Sequence, residues 1–419
     1  MNNKFVVEVH TGKEYGVSRL NCDSAGQVKD VMINTTRYNR ISSQSKKSVY
    51  RKLLNECFEN KERAFRTRGM KKVFADKLKE TNNPLYVDHA EEMAEAIVKI
   101  ALQSEFKGNV SGVDITSQIL VVTKYDVEDI AKTFCEVITN EEQWQEFKKI
   151  SDPITKRDKN NKVKGIASDF VLKVQKTLKT RNSGIECSLF GRMSTADVMT
   201  NVDSAVSINH SFSFGKATQD SDYFTAVDNY LSEANDEVSE KSGAGYLDSK
   251  DFAMHVYYEY ASIDVGQFYV NLCKGNSNAD NEEEHLRIKE IMKKAVRCLV
   301  NSIACAAPAG GQNSFASSPD PIGVYITIRD SGMNRTADTS CIREMNHKEK
   351  NKYGDYVDLR EDEKFIRAMK NFVSDDFSCQ DYYIKKMYIG DRAEEFEGIE
   401  HHNWKSALDQ IEEIIDERF

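Results

Sequence analysis

The sequence predicts an α+β fold organised around two strands and the long loop between them. The runs Val206–Phe214 and Phe252–Ile263 alternate apolar with polar residues, which is the period of half-buried strands. Sequential strands usually pair, but their connection, Gly215–Asp251, has 37 residues and no regular period, far more than a hairpin needs. A solvated linker suits its later part, Ser232–Ser242, whereas Asp222–Asp228 carries two aromatic residues. We therefore predict an antiparallel pair with a projecting loop that grips a ligand.

The N-terminal part is predicted to supply one strand and one helix. Lys4–His10 alternates and is the predicted first strand. A basic, turn-rich connection follows, and Ser42 and Ser43 then precede an apolar helical period that ends near Cys57. Either serine suits the N-cap position, because its hydroxyl can accept a hydrogen bond from the first turn. The sequence therefore predicts a helix that begins at this serine pair.

The middle and C-terminal parts complete the predicted fold. Asn60–Ser183 is charged and helical in period, which indicates an inserted helical subdomain. A helix, Glu282–Ala306, and a strand, Ile322–Ile328, follow the strand pair, and an acidic segment ends in an amphipathic helix, Trp404–Ile415, expected to pack on the domain. The order strand, helix, insertion, strand, loop, strand, helix, strand is the split βαβ, or ferredoxin-like, pattern of many RNA-binding modules.

Composition indicates a large globular protein without a membrane segment. The chain has 419 residues, 40% of them hydrophobic, so it can bury a sizeable core. No segment approaches a membrane span, no leader peptide is visible, and nine cysteines without a Cys-x-x-Cys pair are typical of a reducing compartment. We expect a cytoplasmic protein with no membrane partner.

The net charge of −9 is unevenly distributed along the chain. Residues 1–80 hold 18 Lys and Arg against 9 acidic residues, and residues 148–181 hold 11 against 3, whereas residues 354–419 hold 9 against 18. Local potential matters more than total charge when a protein binds a polyanion. The basic segments therefore favour a nucleic-acid partner, with an ordinary solvated surface as the alternative.

Two sets of basic residues are candidate contacts to a phosphate backbone. Lys47 and Arg51 lie four residues apart on one face of the predicted helix, just beyond an N-terminus whose N–H groups and dipole favour an anion. Lys173, Lys176 and Lys179 recur at three-residue spacing, along one edge of a helix that a duplex backbone would meet. In both cases the alternative is an amphipathic helix with its charges in water.

No catalytic constellation emerges from the sequence. Neither Gly243–Gly245 nor Gly310–Gly311 sits in a nucleotide-binding motif. His401 and His402 lie in the acidic tail without further metal ligands at suitable spacing. His210 is a conceivable general base in an RNA-cleaving fold, but it falls on the apolar side of its predicted strand, which indicates a core histidine. We predict no cofactor and no metal.

Several short segments together resemble a known family, the backbone subunit of the type I-E CRISPR Cascade complex, called CasC. These segments are Arg40–Ser45 with Lys47 and Arg51, Gly191–Met193, Met199–Thr200, Ser207–His210, Asp220–Asp228, Phe252–Asn271 and Pro308–Ala316. The resemblance implies an RRM-like (ferredoxin-like) palm with a helical fingers insertion and a long thumb loop. The implied boundaries are residues 1–59, 184–214 and 252–335 for the palm, 60–183 for the fingers, 215–251 for the thumb and 336–419 for an acidic C-terminal extension.

The resemblance also implies a function. Several copies would line up along one CRISPR RNA (crRNA), each thumb displacing a base at regular intervals. Target DNA would be read by base pairing with the guide in the complex assembled with other Cascade subunits. The implied RNA contacts are Arg40, Ser42, Ser43, Gln44, Lys47, Arg51, Met193, Phe224, Gln312 and Asn313. Met193 and Phe224 would wedge beside the displaced base while the cations hold phosphates, so a guide of any sequence can be bound. The resemblance implies no contact residue within the fingers, and the separate hypothesis that Lys173, Lys176 and Lys179 hold DNA comes from their spacing alone.

An RRM-like endoribonuclease that processes or cleaves RNA is the competing hypothesis. In related effectors an acidic residue on a projecting loop cleaves target RNA, and Asp220, Asp222 and Asp228 keep that activity open. The resemblance favours a non-catalytic assembly protein.

Overall fold

The computed structural model divides into two compact units. The described residues are 5–59, 64–151, 165–179, 183–218, 220–226, 246–274, 281–330, 334–374 and 383–419. The first unit comprises residues 1–53, 207–262 and 297–418, and the second comprises residues 54–206 and 263–296 with Phe419. Residues 227–245 of the predicted thumb, with Asp228 and Gly243–Gly245, lie outside the described residues.

Strands and helices both occur throughout the described chain, which confirms the predicted α+β class. The strands are β1 (Val6–Ser18), β2 (Asp30–Ile33), β3 (Thr36–Ile41), β4 (Ala64–Thr67), β5 (Phe106–Val110), β6 (Val113–Thr116), β7 (Leu120–Thr123), β8 (Val206–Ile208), β9 (Ser211–Lys216), β10 (Asp220–Ala226), β11 (Tyr246–Asp264), β12 (Pro321–Arg329), β13 (Lys348–Lys350), β14 (Tyr356–Asp358), β15 (Tyr383–Gly390) and β16 (Glu400–His401). The helices are α1 (Ser43–Cys57), α2 (Met70–Lys79), α3 (Pro84–Asp88), α4 (Ala90–Ile100), α5 (Lys124–Val137), α6 (Glu141–Ser151), α7 (Ile166–Lys179), α8 (Gly184–Phe190), α9 (Val265–Cys273), α10 (Glu282–Cys305), α11 (Gln312–Phe315), α12 (Asp338–Met345), α13 (Glu361–Ser374) and α14 (Trp404–Arg418).

The first unit is built on a ten-stranded, mostly antiparallel sheet. Its order is β16-β15-β12-β1-β11-β9-β3-β2, and β8 and β10 also pair with β11. β1 pairs antiparallel with β12, and β11 pairs antiparallel with β9. The four strands that the sequence predicts therefore occupy neighbouring positions in the sheet. When these four strands are numbered in chain order, they lie across the sheet in the order fourth, first, third, second.

The predicted continuous strand Val206–Phe214 is wrong, because it is interrupted at Asn209 and His210. Asn209 replaces regular pairing in this gap: its N–H donates to the Tyr260 carbonyl at 3.1 Å, and its Oδ1 accepts from the Tyr260 N–H at 3.0 Å. The break leaves His210 exposed. The expectation of a core histidine is therefore also wrong.

A buried carboxylate network fixes α1 on one face of this sheet. Glu259 of β11 accepts hydrogen bonds from Tyr15 Oη at 2.9 Å and from Tyr50 Oη of α1 at 3.4 Å. Lys13 Nζ lies 3.5 Å from the same carboxylate and donates to two carbonyls at the end of α10, including that of Ala306 at 2.7 Å. Because an unpaired buried charge is costly, this network holds β1, β11, α1 and the end of α10 in one arrangement.

The acidic C-terminal extension is part of the first unit. β15 adds to the sheet beside β12. α13 packs so closely on β1 that a Cβ placed on Gly12 would lie 2.6 Å from the Phe365 ring. At the start of α13, Glu361 accepts a hydrogen bond from the Val256 N–H at 2.7 Å and lies 2.9 Å from His255 Nδ1. The extension therefore docks on the base of the predicted thumb.

The second unit is mainly helical and has its own core. Phe134, Phe147 and Phe170, from α5, α6 and α7, meet edge to face with ring centroids 5.3 and 5.5 Å from Phe134. Two small ribbons, β4 with β7 and β5 with β6, were not predicted from the sequence. No helix within the described ranges combines the length and the apolarity that a membrane crossing requires.

Candidate nucleic-acid interface

The N-terminus of α1 is capped by Ser42, as the sequence predicts. The Ser42 hydroxyl accepts a hydrogen bond from the Ser45 N–H at 3.3 Å, and the Ser42 N–H donates to Asn21 Oδ1 at 2.9 Å. Ser43 and Gln44 follow in the first turn, where N–H groups point along the helix axis towards solvent or a ligand. The local geometry is that of an anion-binding helix end.

The cations of α1 differ sharply in burial. Lys47 and Arg51 are half-buried, and Gln44 is exposed. Lys46 is buried instead, and its Nζ donates to Ser211 Oγ at 2.6 Å and to Asn209 Oδ1 at 3.0 Å. Burial removes water from the ammonium and lowers the pKa of Lys46 to about 8, while Glu259 opposes this shift.

A basic cluster, which we name the Arg40 cluster, adjoins the start of α1. It consists of Lys29, Arg40, Lys46 and His210. Arg40 Nη1 lies 2.8 Å from His210 Nδ1. Because a guanidinium can only donate, Nδ1 accepts and the ring proton is on Nε2. Partial burial and then the charges of Arg40, Lys46 and Lys29 lower the pKa of His210. The cluster concentrates positive charge that a phosphate would neutralise.

The Gly191–Met193 segment belongs to the second unit and presents one apolar side chain to solvent. Met193 is 89% exposed. Its neighbour Arg192 is buried and donates from Nη1 to Asp126 Oδ2 at 2.7 Å and from Nε to the Thr200 carbonyl at 3.1 Å. Gly191 adopts a φ of 78°, and a Cβ there would lie 3.0 Å from the Val202 carbonyl oxygen. Arg192 and Gly191 therefore fix the loop from which Met193 projects.

The described part of the predicted thumb is a two-stranded ribbon. β10 and β11 pair from Asp220↔Phe252 to Ala226↔Tyr246. Phe224 is half-buried, and Lys250 Nζ lies 4.5 Å from its ring centroid. Tyr223, on the opposite face of the ribbon, is 74% exposed. Phe224 and Tyr223 therefore lie on opposite faces of the ribbon.

The Pro308–Ala316 segment is ordered by one of the predicted contact residues. Gln312 Nε2 donates to the Pro308 carbonyl at 3.0 Å and to the Ser317 carbonyl at 2.7 Å. Both amide protons are thus used within the segment, and the amide oxygen is the atom with capacity to meet a ligand. Asn313 is exposed, and the Phe315 ring lies 6.2 Å from that of Phe252 at the base of the ribbon.

These observations are matched by a comparison with known families. A family model described as "CT1975-like protein" matches residues 7–344. The chain belongs to the CT1975-like family. No curated protein sequence matches it significantly.

Solved structures share the fold of this CT1975-like chain. A chain of "CRISPR RNA-guided surveillance complex, pre-nicking" superposes with a TM-score of 0.72 at 20% identity, covering 99% of this chain and 100% of that one. A chain of "CRISPR RNA-guided surveillance complex" gives a TM-score of 0.65 at 17% identity, with coverages of 98% and 99%. The resemblance to the CasC backbone subunit is confirmed at the level of the family, while assignment to type I-E stays a prediction.

The predicted contacts of this CT1975-like chain fall in both units. Those of the first unit are Arg40, Ser42, Ser43, Gln44, Lys47, Arg51, Phe224, Gln312 and Asn313. Met193 and the lysine row Lys173, Lys176 and Lys179 belong to the second unit, and all three lysines are exposed on α7. Across the described ranges, no group of His, Cys, Asp and Glu side chains is arranged to hold a metal ion.

Three residues of the interface were missed by sequence reasoning. Lys46 and Arg192 are buried by partners distant in sequence, and His210 was assigned to the core. Local periodicity carries no signal for the first two. For His210, the preceding Asn209 could have indicated a break in the strand, because asparagine is depleted in strands.

Proposed function

We propose that the chain is a non-catalytic backbone subunit of a type I-E CRISPR Cascade complex that polymerises along crRNA. The observation that carries the proposal is the Arg40 cluster beside the Ser42-capped start of α1, which supplies cations and helix N–H groups at one place. Family membership and the fold shared with surveillance-complex chains support it. The partners would be crRNA, further copies of the chain, other Cascade subunits and, through the assembled complex, target DNA.

We further propose that the central strands form an RRM-like palm. The order fourth, first, third, second among β12, β1, β11 and β9 supports this assignment, since it is the strand order of a ferredoxin-like sheet. The fingers would be the helical insertion and the thumb the segment around β10 and the start of β11. The palm would then carry the phosphate contacts while the thumb reaches beyond the sheet.

The chemistry of the proposed contacts suits a guide of any sequence. Arg40, Lys47 and Arg51 would bind phosphates, which are the same in every nucleotide. Met193 and Phe224 would wedge beside a displaced base, and an aromatic or apolar surface accepts any base. Pairing between guide and target would then read the sequence.

The phosphate contacts are tested by the salt dependence of RNA binding. Lys47→Ala with Arg51→Ala removes two charges, so the slope of log affinity against log salt should become shallower by about 1.4. Fluorescence anisotropy with single-stranded RNA from 50 to 300 mM salt measures it. A matched control, Lys132→Ala with Lys405→Ala, removes two exposed charges outside α1 and should leave the slope unchanged. Equal slopes for both double variants would exclude α1 as a phosphate site.

The lysine row on α7 is proposed to hold DNA rather than the guide. Replacing Lys173, Lys176 and Lys179 by alanine should weaken DNA capture by the assembled complex and leave its RNA content normal. Filter binding with labelled duplex and quantification of co-purified RNA measure the two effects. Loss of RNA from the complex would show that the lysine row contacts the guide RNA and not the DNA.

A second candidate function, endoribonuclease, is favoured by one observation. His210 is exposed beside Arg40, where a histidine could exchange a proton with bound RNA. Labelled repeat RNA incubated with purified protein, with and without a divalent metal, distinguishes the two functions. Cleavage that is lost in His210→Ala would establish the nuclease, and intact RNA in both conditions would support the assembly protein.

A further inference from the structure

A short hairpin in the C-terminal extension displays aromatic side chains that no core residue covers. β13 and β14 pair from Lys348↔Asp358 to Lys350↔Tyr356. Tyr353 in the turn is 77% exposed and Tyr356 is 66% exposed. Burial is the usual state of such large rings, so two exposed tyrosines on one hairpin indicate a contact surface.

The turn of this hairpin is rigid. Asn351 Oδ1 accepts hydrogen bonds from the Tyr353 and Asp355 N–H groups, both at 2.9 Å. The Asn351 N–H donates to the Asp355 carbonyl at 2.8 Å, and Gly354 takes a φ of 90° to close the turn. The backbone that carries the rings is therefore ordered before any partner arrives, which lowers the entropic cost of binding.

Two of the three acidic residues of the hairpin pair with α13, and two of its three lysines lie beside the rings. Glu349 pairs with Arg367, and Asp358 lies 3.6 Å from Lys364, both cations being on α13. By contrast, Lys350 Nζ lies 5.2 Å from the Tyr356 ring centroid, and Lys352 Nζ lies 5.0 Å from that of Tyr353. The hairpin has three lysines and three acidic residues, and because α13 pairs with two of the acids, Asp355 is left against the three lysines.

The strand register gives the two faces of the hairpin different side chains. Residues directly opposite each other share a face, so Glu349 and Val357 lie on one face, and Lys348, Lys350, Tyr356 and Asp358 lie on the other. Each face sends one carboxylate to α13, Glu349 to Arg367 and Asp358 to Lys364. The second face therefore carries the Tyr356 ring and two ammonium groups, and its carboxylate is already paired.

We propose that this surface, the Tyr353 platform (Lys348, Lys350, Lys352, Tyr353 and Tyr356), binds single-stranded nucleic acid. Aromatic rings on which bases stack, flanked by cations that meet the backbone, are the recurring chemistry of single-strand binding. A duplex keeps its bases stacked on one another and cannot use the rings. A protein partner fits less well, because lysine is depleted in protein interfaces.

A complex that holds a guide RNA offers two single-stranded nucleic acids that this surface could bind. RNA beyond the segment held by α1 is one, and the DNA strand released when a guide pairs with its target is the other. Only the identity of the bound strand rests on the proposed function. The proposal that the platform binds single-stranded nucleic acid is independent of that function. The experiment therefore compares single-stranded DNA and RNA on the full chain.

Photocrosslinking tests the platform without interference from the α1 site. Oligonucleotides of 20 nucleotides that carry 5-iodouracil, as DNA and as RNA, are irradiated with the full chain, and the crosslinked peptide is found by mass spectrometry. We expect a crosslink at Tyr353 or Tyr356 that is competed by unlabelled single strands and not by duplex. Preference for DNA would assign the released strand, and preference for RNA would assign the extended guide.

Affinity measured in the Lys47→Ala, Arg51→Ala background isolates the energetic contribution. Adding Tyr353→Ala should weaken single-strand binding roughly 5- to 150-fold, the range for loss of one base stack. Tyr353→Phe keeps the ring and should bind normally, and Val357→Ala, on the face of the hairpin opposite to Tyr356, is the matched control. Unchanged affinity of Tyr353→Ala, or a crosslink elsewhere only, would overturn the proposal. Loss of subunit self-association with unchanged oligonucleotide binding would assign the platform to protein contact instead.

Discussion

At the scale of the residue, burial distinguishes basic side chains that look alike in the sequence. Lys46 and Lys47 are neighbours, yet Lys46 is buried with Ser211 and Asn209, which lie 165 and 163 residues away in sequence. Lys47 and Arg51 were predictable as candidate contacts because helical spacing is a local property. Lys46 was not, because its environment depends on pairing between distant segments. The same holds for Arg192, whose partner Asp126 lies 66 residues away.

Burial of Lys46 predicts an unusual dependence of stability on pH. In the folded state its pKa is about 8, against 10.5 for an exposed lysine, so between these values the unfolded chain binds more protons. Stability therefore rises with pH across that window, and near pH 7, where both states are protonated, titration of this group adds no pH dependence. The total gain is on the order of 3 kcal/mol.

Chemical denaturation of the chain and of Lys46→Met between pH 7.5 and 10 measures this effect. The difference in unfolding free energy between them should rise with pH in favour of the unmodified chain, because groups common to both cancel. Lys52→Met, at an exposed position of the same helix, should show a constant difference. A constant difference for Lys46→Met as well would show that its ammonium is not held in a dry site.

At the scale of the element, periodicity located the central strands and long helices. β1, β11, β12, α1, α10 and α14 correspond to predicted elements, although β1 and β11 are longer than predicted. β2, β3 and β15 were not predicted. They are edge or near-edge strands of the sheet, and β3 and β15 are stabilised by pairing with β9 and β12, which are distant in sequence and which a local pattern does not record. The sequence of the acidic extension likewise contains no pattern that predicts additional strands of the sheet.

Docking of α13 on β1 predicts that two glycines of one strand respond differently to the same substitution. At Gly12 an added methyl group would lie 2.6 Å from the Phe365 ring, whereas at Gly16 no atom lies within 4 Å. Gly12→Ala should destabilise the fold by about 1–3 kcal/mol through overpacking. Gly16→Ala should be neutral or stabilising by up to about 1 kcal/mol, because it restricts the unfolded chain.

Urea denaturation of both variants checks this prediction. Phe365→Leu combined with Gly12→Ala should recover part of the lost stability, since a smaller side chain makes room for the methyl group. Equal stability of the two single variants would mean that α13 does not pack against β1 at Gly12.

At the scale of the whole molecule, each of the two units carries some of the proposed RNA contacts. The first unit supplies cations and the ribbon with Phe224, and the second supplies Met193 on its fixed loop. Copies that line up head to tail along a repeating backbone would meet through heterologous contacts, which propagate as an open filament when their rotation does not close a ring. The length of the assembly would then be set by the RNA.

The most direct test of assembly along RNA is chemical probing of the bases of a long RNA that is coated with the chain. We predict assemblies whose mass grows with RNA length and bases that react at a regular interval. Phe224→Ala removes a stack of about 1–3 kcal/mol per base, so the regular reactivity should disappear, while Tyr223→Ala, on the other face of the ribbon, should preserve it. A monomer or closed dimer whose mass is independent of RNA length, with no periodic reactivity, would contradict the account.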